Sequence, residues 1–174
     1  MIAKRIEDSI NRTSLEADNK EAAITLLNVN FLIKDILLQK KVEYMEHDIK
    51  IIYNKPDNYH DININGVKDD FSRMLSNLIN NAVEACSDKY GIIRIELQKS
   101  NSITTLTIND NGCGIPGEVL QMLRDGKTIT HGKTSGHGIG MQQIREAITK
   151  CNGTLDIKSI LGNGSTFAIM FEAT

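Results

Sequence analysis

The 174-residue chain predicts an α+β fold, a two-layer sandwich of helices on a sheet, preceded by a helical arm. Two observations lead there. Helical and strand-like segments are grouped rather than strictly alternating, which argues against a doubly wound parallel sheet. Two pairs of strand-like runs are joined by short turns, Lys99-Ser-Asn-Ser102 and Leu161-Gly-Asn-Gly164, as hairpins require. Composition agrees: 40% hydrophobic and 24% charged residues, at a net charge of −2, describe a globular domain without a basic nucleic-acid footprint. No apolar stretch approaches the roughly 18 residues of a membrane helix, and the N-terminus lacks the apolar core of a signal peptide. Cys86, Cys113 and Cys151 are odd in number and lack metal-ligand spacing, so reduced thiols in a cytoplasmic compartment are expected.

Residues 1–47 read as helix, with a capping-box pattern at Thr13-Ser-Leu-Glu16. Ile24, Leu27, Phe31, Leu38, Val42 and Met45 recur at three-, four- or seven-residue steps, and Leu26, Val29, Ile33 and Ile36 widen the stripe. So apolar a helix needs a partner surface. The pattern fits a core helix and a helical arm packed on a second chain equally well. Ile49–Tyr53 and Asp61–Asn65 read as strands, the second ended by Gly66. Val67–Cys86 is helical in period, with Phe71, Met74, Leu75, Leu78, Ile79, Ala82 and Val83 on one face. Gly91–Leu97 and Ile103–Ile108 form the first hairpin. Pro116 suits the first turn of a helix reaching about Arg124. Residues 126–137 are polar and glycine-punctuated, a loop. Ile139–Cys151 is helical, with Asn152-Gly153 as C-cap, and Leu155–Ile160 and Ser165–Phe171 form the second hairpin.

Four segments carry chemistry when taken in order. Asn77 and Asn81 lie one turn apart on a helix, and an Asn oxygen can complete the shell of a magnesium ion that keeps most of its waters. Asp110 ends a strand and is followed by Asn-Gly-Cys-Gly, so Gly112 and Gly114 let a flat ligand approach the main chain. A carboxylate there accepts a hydrogen bond from the adenine amino group, whereas guanine would present acceptor to acceptor. Gly136, Gly138 and Gly140 open a helix whose free amides suit phosphate oxygens. Lys133, Thr134 and Ser135 stand just before them, placed to fold over a γ-phosphate. Two other nucleotide signatures fail on spacing. A Walker loop needs glycine at 127 or 121, which are Lys127 and Gln121, and the dinucleotide fingerprint needs a third glycine where Met141-Gln-Gln143 stands.

These segments resemble the Bergerat-fold ATP-binding domain shared by gyrases, heat-shock chaperone ATPases, mismatch-repair ATPases and sensor histidine kinases, over about residues 48–172. Asn77–Asn81 resembles the N box and Asp110–Gly114 the first glycine box. Gly136–Gly140, with His137 and Ile139 between the glycines, resembles the second, and Gly164-Ser-Thr-Phe167 the last. The resemblance implies a mixed, mostly antiparallel sheet covered by helices. It implies ATP and Mg2+ as cofactors, Asn81 as metal ligand, and Asp110 with Ile115, Ser165 and Thr166 around the adenine. Where ATP-hydrolysing members carry a Glu that activates water, this chain has Asn77, a poor base, which favours the histidine-kinase branch.

On that reading the chain is the catalytic domain of a sensor histidine kinase, with Asn77 and Lys133 as its catalytic residues. The acceptor would be a histidine on a helical dimerisation domain, since none of His47, His60, His131 and His137 matches the phosphoacceptor pattern. Residues 1–47 would be the end of that domain or a linker, and residues 48–174 the ATP-binding domain. Further expectations are a response regulator as partner, a homodimer in the full-length protein, and a cytoplasmic location for this portion, with membrane anchoring of the whole left open. The alternatives are a stand-alone ATPase, an anti-sigma-type serine kinase, and an inactive nucleotide-sensing module. Two departures stand out. The loop lacks the Phe motif of the commonest kinases, and Glu84 occupies a position often basic.

Overall fold

The computed structural model describes residues 23–55, 62–87, 90–127 and 137–172. Its elements in chain order are β1 (Thr25–Asn28), α1 (Val29–Glu43), β2 (Ile49–Asn54), β3 (Asn63–Gly66), α2 (Lys68–Ala85), β4 (Gly91–Ser100), β5 (Ile103–Asp110), α3 (Gly117–Arg124), α4 (His137–Lys150), β6 (Thr154–Ile160) and β7 (Gly164–Glu172). Five strands form the main sheet in the order β2-β4-β5-β7-β6, and β1 pairs with β3 in a separate two-stranded ribbon. β2 runs parallel to β4, and the other main-sheet neighbours are antiparallel. The mixed, mostly antiparallel sheet covered by helices is therefore as expected.

Alternation along the strands sets the two faces of the sheet. One row across it is Ile95, Ile108, Phe167 and Ile157, and the next is Leu97, Leu106, Ile169 and Leu155. All but Leu155 are buried. Against these rows lies the apolar face of α2, where Phe71, Met74, Leu75 and Ile79 are each fully buried. Ile144, Ala147 and Ile148 of α4 complete the same core.

α2 and α4 run antiparallel. Lys150 at the C-terminal end of α4 pairs with Asp70 in the first turn of α2 at 2.6 Å, where both charges oppose the local helix dipole. Seven residues further along α2 and seven back along α4, Asn77 Nδ2 donates to Gln143 Oε1 at 3.1 Å. The same register carried one more turn puts Asn81 level with residue 139, in the first turn of α4. Sequence thus fixes which helix end faces which.

The N-terminal region departs from its helical expectation. Thr25–Asn28 is a strand, paired through Leu27 to Ile64. The helix starts only at Val29, because the Asn28 side chain accepts the Phe31 amide at 2.9 Å and caps it. The stripe also divides. Val29, Leu32, Ile33, Ile36 and Leu37 enter the core, whereas Phe31, Leu38, Val42 and Met45 are 65–77% exposed. The capping-box pattern at residues 13–16 lies outside the described residues.

α1 is locked to the domain by polar contacts as well. Lys40 is 5% exposed, and its ammonium donates to Glu43 Oε2 at 2.7 Å and to Asn80 Oδ1 at 2.6 Å. The Tyr44 hydroxyl donates to the same Asn80 oxygen at 2.9 Å, and the Tyr53 hydroxyl donates to Asn30 Oδ1 at 2.7 Å. Burial pushes both phenols up from their ordinary value of 10 to about 12, helped at Tyr44 by the Glu43 carboxylate. A group whose folded value is raised stabilises the fold fully below its unfolded value and loses that contribution as pH climbs through the folded one. The two phenols therefore contribute no pH dependence below pH 10 and a loss of stability between pH 10 and 12. Denaturant titrations across that range test this, and Tyr53→Phe should flatten the fall.

Candidate functional site

The site begins where the inward-facing rows of the sheet change from apolar to polar. The row after Ile95–Ile108 pairs Ile93 with Asp110, and Ser165 and Ser159 oppose each other on β7 and β6. Asp110 is 3% exposed. Its Oδ1 accepts the Gly112 amide at 2.8 Å and the Ser165 amide at 3.2 Å. A buried carboxylate survives only with such partners, and here two main-chain donors fix one of its oxygens. The hydroxyls of Ser159 and Ser165 lie 3.1 Å apart. Ser159 also accepts the Ile115 amide at 2.8 Å and donates to the Gly164 carbonyl at 2.9 Å. With its single proton so used, Ser159 accepts the Ser165 proton, leaving the Ser165 oxygen with acceptor capacity.

Close backbone packing holds this corner together. The Cys113 amide donates to the Ala85 carbonyl at 2.8 Å, tying the loop after β5 to the end of α2. A Cβ on Gly112 would come within 2.6 Å of the Ala85 side chain. Gly164 has φ +94°, and a Cβ there would fall on the Asp110 carbonyl. Asn111 does no site work in this arrangement. Its side chain accepts the Ile92 amide at 2.7 Å and donates to the Tyr90 carbonyl at 3.1 Å, extending the sheet edge.

Asp110 opens into a cavity of about 320 Å³. Asn81, Gly114, Ile115 and Ser165 are among the residues that line it. Its apolar walls were not foreseen as site residues: Ala82 and Ala85 from α2, Val119 and Leu123 from α3, Met141 from α4 and Phe167 from β7. Val119 and Leu123 are one helical turn apart, and that spacing was the available signal. Cys113 and Glu84 complete the rim. A slot with apolar walls, a carboxylate and a serine at its floor and the volume of a small-ligand site suits a flat, amine-bearing heterocycle.

Not every expected residue joins the cavity. Asn77 is turned to Gln143 and braces α2 against α4. Thr166 is on the opposite face of the sheet from Ser165, where its hydroxyl accepts from Asn109 Nδ2 at 2.9 Å, so the expectation that it touches adenine is corrected. Strand alternation permits only one of two consecutive hydroxyls to face the site. His137, Gly138, Ile139 and Gly140 form the first turn of α4, level with Asn81. A Cβ on Gly140 would meet nothing within 4 Å, so open space lies beside that turn. The first amides of any helix have no acceptor within the helix, and such a turn suits an anion. Lys133, Thr134, Ser135 and Gly136 lie outside the described residues.

Two arginines anchor the neighbouring helix. Arg124 at the end of α3 donates twice to the Ile157 carbonyl, at 3.1 and 2.7 Å. Arg145 of α4 donates to the Leu123 carbonyl, holding the same end from the other side.

Fold and site together define a nucleotide-binding α/β sandwich. Comparison with known proteins agrees: the family described as histidine kinase-, DNA gyrase B-, and HSP90-like ATPase matches residues 66–174, and the chain belongs to it. A probable C4-dicarboxylate sensor kinase of Bacillus subtilis is 36% identical over 101 residues, 56% of this chain and 19% of that protein. Sporulation kinase A of the same organism is 29% identical over 170 residues, covering 96% of this chain and 27% of its own length. Among solved structures, the catalytic domain of histidine kinase ThkA superposes with a TM-score of 0.71 at 21% identity, covering 86% of this chain and 95% of that one. The chain spans between 16% and 30% of the first curated relatives it matches. No helix among the described residues is long and apolar enough to cross a membrane.

Proposed function

We propose that this chain is the catalytic ATP-binding domain of a sensor histidine kinase, donating the γ-phosphoryl group of Mg-ATP to a histidine on a separate helical domain. The buried Asp110 at the floor of an apolar slot, opposite Ser165, carries the reading. In it Asp110 accepts from the adenine amino group, Ser165 offers a second polar contact, and Ile115, Val119 and Leu123 cover the ring faces. The first turn of α4 faces the phosphates with free amides.

The donor set fits magnesium. Among the described residues the Asn81 side chain makes no hydrogen bond, and it lines the cavity level with the first turn of α4. A single neutral oxygen beside phosphates and waters is a usual protein share of a magnesium shell. When bound, the ion neutralises phosphate charge. The chain's own part is positioning, which accounts for most of phosphoryl-transfer catalysis. Asn77, tied to Gln143, keeps α2 and α4 aligned and offers no general base for water. Lys133, Thr134 and Ser135 remain assigned to the phosphates from their order in the sequence.

The partners follow from the same reading: a histidine-bearing dimerisation domain, a homodimer in the whole protein, and a response regulator. Support for the last is that ThkA in complex with the response regulator protein TrrA superposes on 99% of this chain with a TM-score of 0.69. A cytoplasmic location fits these partners.

Radiolabelled ATP separates the readings. Label reaching a supplied histidine-bearing helical domain as acid-labile, alkali-stable phosphoimidazole is the expected result. Phosphate release by the chain alone would make it an ATPase, and label on a protein serine a serine kinase. ATP binding with no transfer to any histidine domain would leave a nucleotide-sensing module.

A further inference from the structure

Lys40 interrupts the inward stripe of α1. At 100° per residue, Val29, Ile33, Ile36 and Lys40 fall within an arc of about 60°, with Lys40 near its centre. The first three are apolar core residues, whereas the fourth carries a charge and is still only 5% exposed. Lysine is almost never so buried unless paired. An apolar side chain at such a place often serves stability as well or better. What a buried ammonium supplies instead is register, by tying one helix to one acceptor on another.

The acceptor is Asn80 of α2. Its Oδ1 takes the Lys40 ammonium at 2.6 Å and the Tyr44 hydroxyl at 2.9 Å, while the half-exposed Glu43 accepts from the same ammonium at 2.7 Å. Asn80 directly precedes Asn81, which lines the cavity. It also lies one turn after Asn77, which donates to Gln143 of α4. One turn of α2 is thus gripped from two sides, by α4 at Asn77 and by α1 at Asn80, and the same turn carries Asn81. Rotating a helix by about 10° moves a side-chain oxygen some 6 Å from its axis by about 1 Å. A magnesium shell, with ligands at about 2.1 Å in near-ideal octahedral geometry, tolerates little of that.

We infer that Lys40, with Tyr44, is a positioning residue for the metal: by holding Asn80 it fixes the rotation of α2 that keeps Asn81 directed into the cavity. This inference rests on the proposed nucleotide reading and adds α1 to the parts that reading requires.

ATP affinity measured in saturating magnesium and again in EDTA tests it, by displacement of a fluorescent ATP analogue that also reads weak binding. Lys40→Met keeps an unbranched side chain of similar length and removes the ammonium. It should lower affinity about tenfold in magnesium and less than about twofold in EDTA. Tyr44→Phe removes only one of the two donors, so it folds even if Lys40→Met does not, and should lower the magnesium value about threefold. Tyr53→Phe is the control. It frees α1 from its other tyrosine contact, at Asn30, and should leave the ratio of the two affinities unchanged. Equal losses with and without magnesium, no loss at all, or a ratio shifted as far by Tyr53→Phe would overturn the inference while the nucleotide reading stands. A parent chain that binds no ATP in either medium would overturn both.

Discussion

Asp110→Asn should reduce ATP affinity by about 100-fold or more, which titration calorimetry would register as loss of measurable binding. The reason lies in which oxygen is already engaged. Oδ1 accepts two amides, from Gly112 and Ser165, and the variant keeps its single oxygen on those donors. On the proposed reading its NH2 group would take the other position and meet the adenine NH2, donor against donor. Thermal unfolding should fall by only a few degrees, because the two amides remain satisfied and about 1 kcal/mol of charge assistance is lost. A variant that binds ATP as tightly as the parent protein would remove Asp110 from the base contact.

Gly164→Ala should have the larger effect on stability. The residue has φ +94°, and the added methyl would fall on the Asp110 carbonyl. Left-handed backbone costs an alanine about 1–2 kcal/mol, and moving a main-chain carbonyl of the central strand adds a comparable amount, for a total of roughly 3 kcal/mol or more. For a domain of this size that lowers the melting temperature by about 6–12 °C. Because the atom displaced belongs to Asp110, nucleotide affinity should fall with it. Gly140→Ala is the control: it meets nothing within 4 Å and should leave stability unchanged or slightly raised. A scanning calorimetry trace placing Gly164→Ala within a degree of the parent would refute the argument.

The sequence made the site legible wherever chemistry and local geometry coincide. Asp110 and Gly112 could be found because a strand end, a carboxylate and a close main-chain approach are all written within a few residues. Ser165 and Thr166 could not be told apart. Which of two adjacent hydroxyls faces the ligand depends on the register between β5 and β7, and that is a long-range fact. The apolar walls were invisible as site residues for a similar reason. Val119, Met141 and Phe167 read as core until three separate elements converge. The N-terminal helix was misjudged because Asn28 and the pairing of Leu27 with Ile64 decide where it starts. Periodicity also cannot say which of two apolar stripes on one helix is covered. Phe31 and Ile33 look alike in sequence, yet one is solvent-facing and the other has no exposure at all.

The antiparallel setting of α2 and α4 has a consequence for how a purine nucleotide would be held. Its heterocycle would lie on the sheet corner and α3, a foundation braced by Arg124 and Arg145. Its terminal phosphates would rest on a single turn at the tip of α4. On the proposed reading, spent and fresh nucleotide would share the first anchor and differ only at the second. Exchange of one for the other would then be governed at the helix tip, while the sheet would set the choice of base.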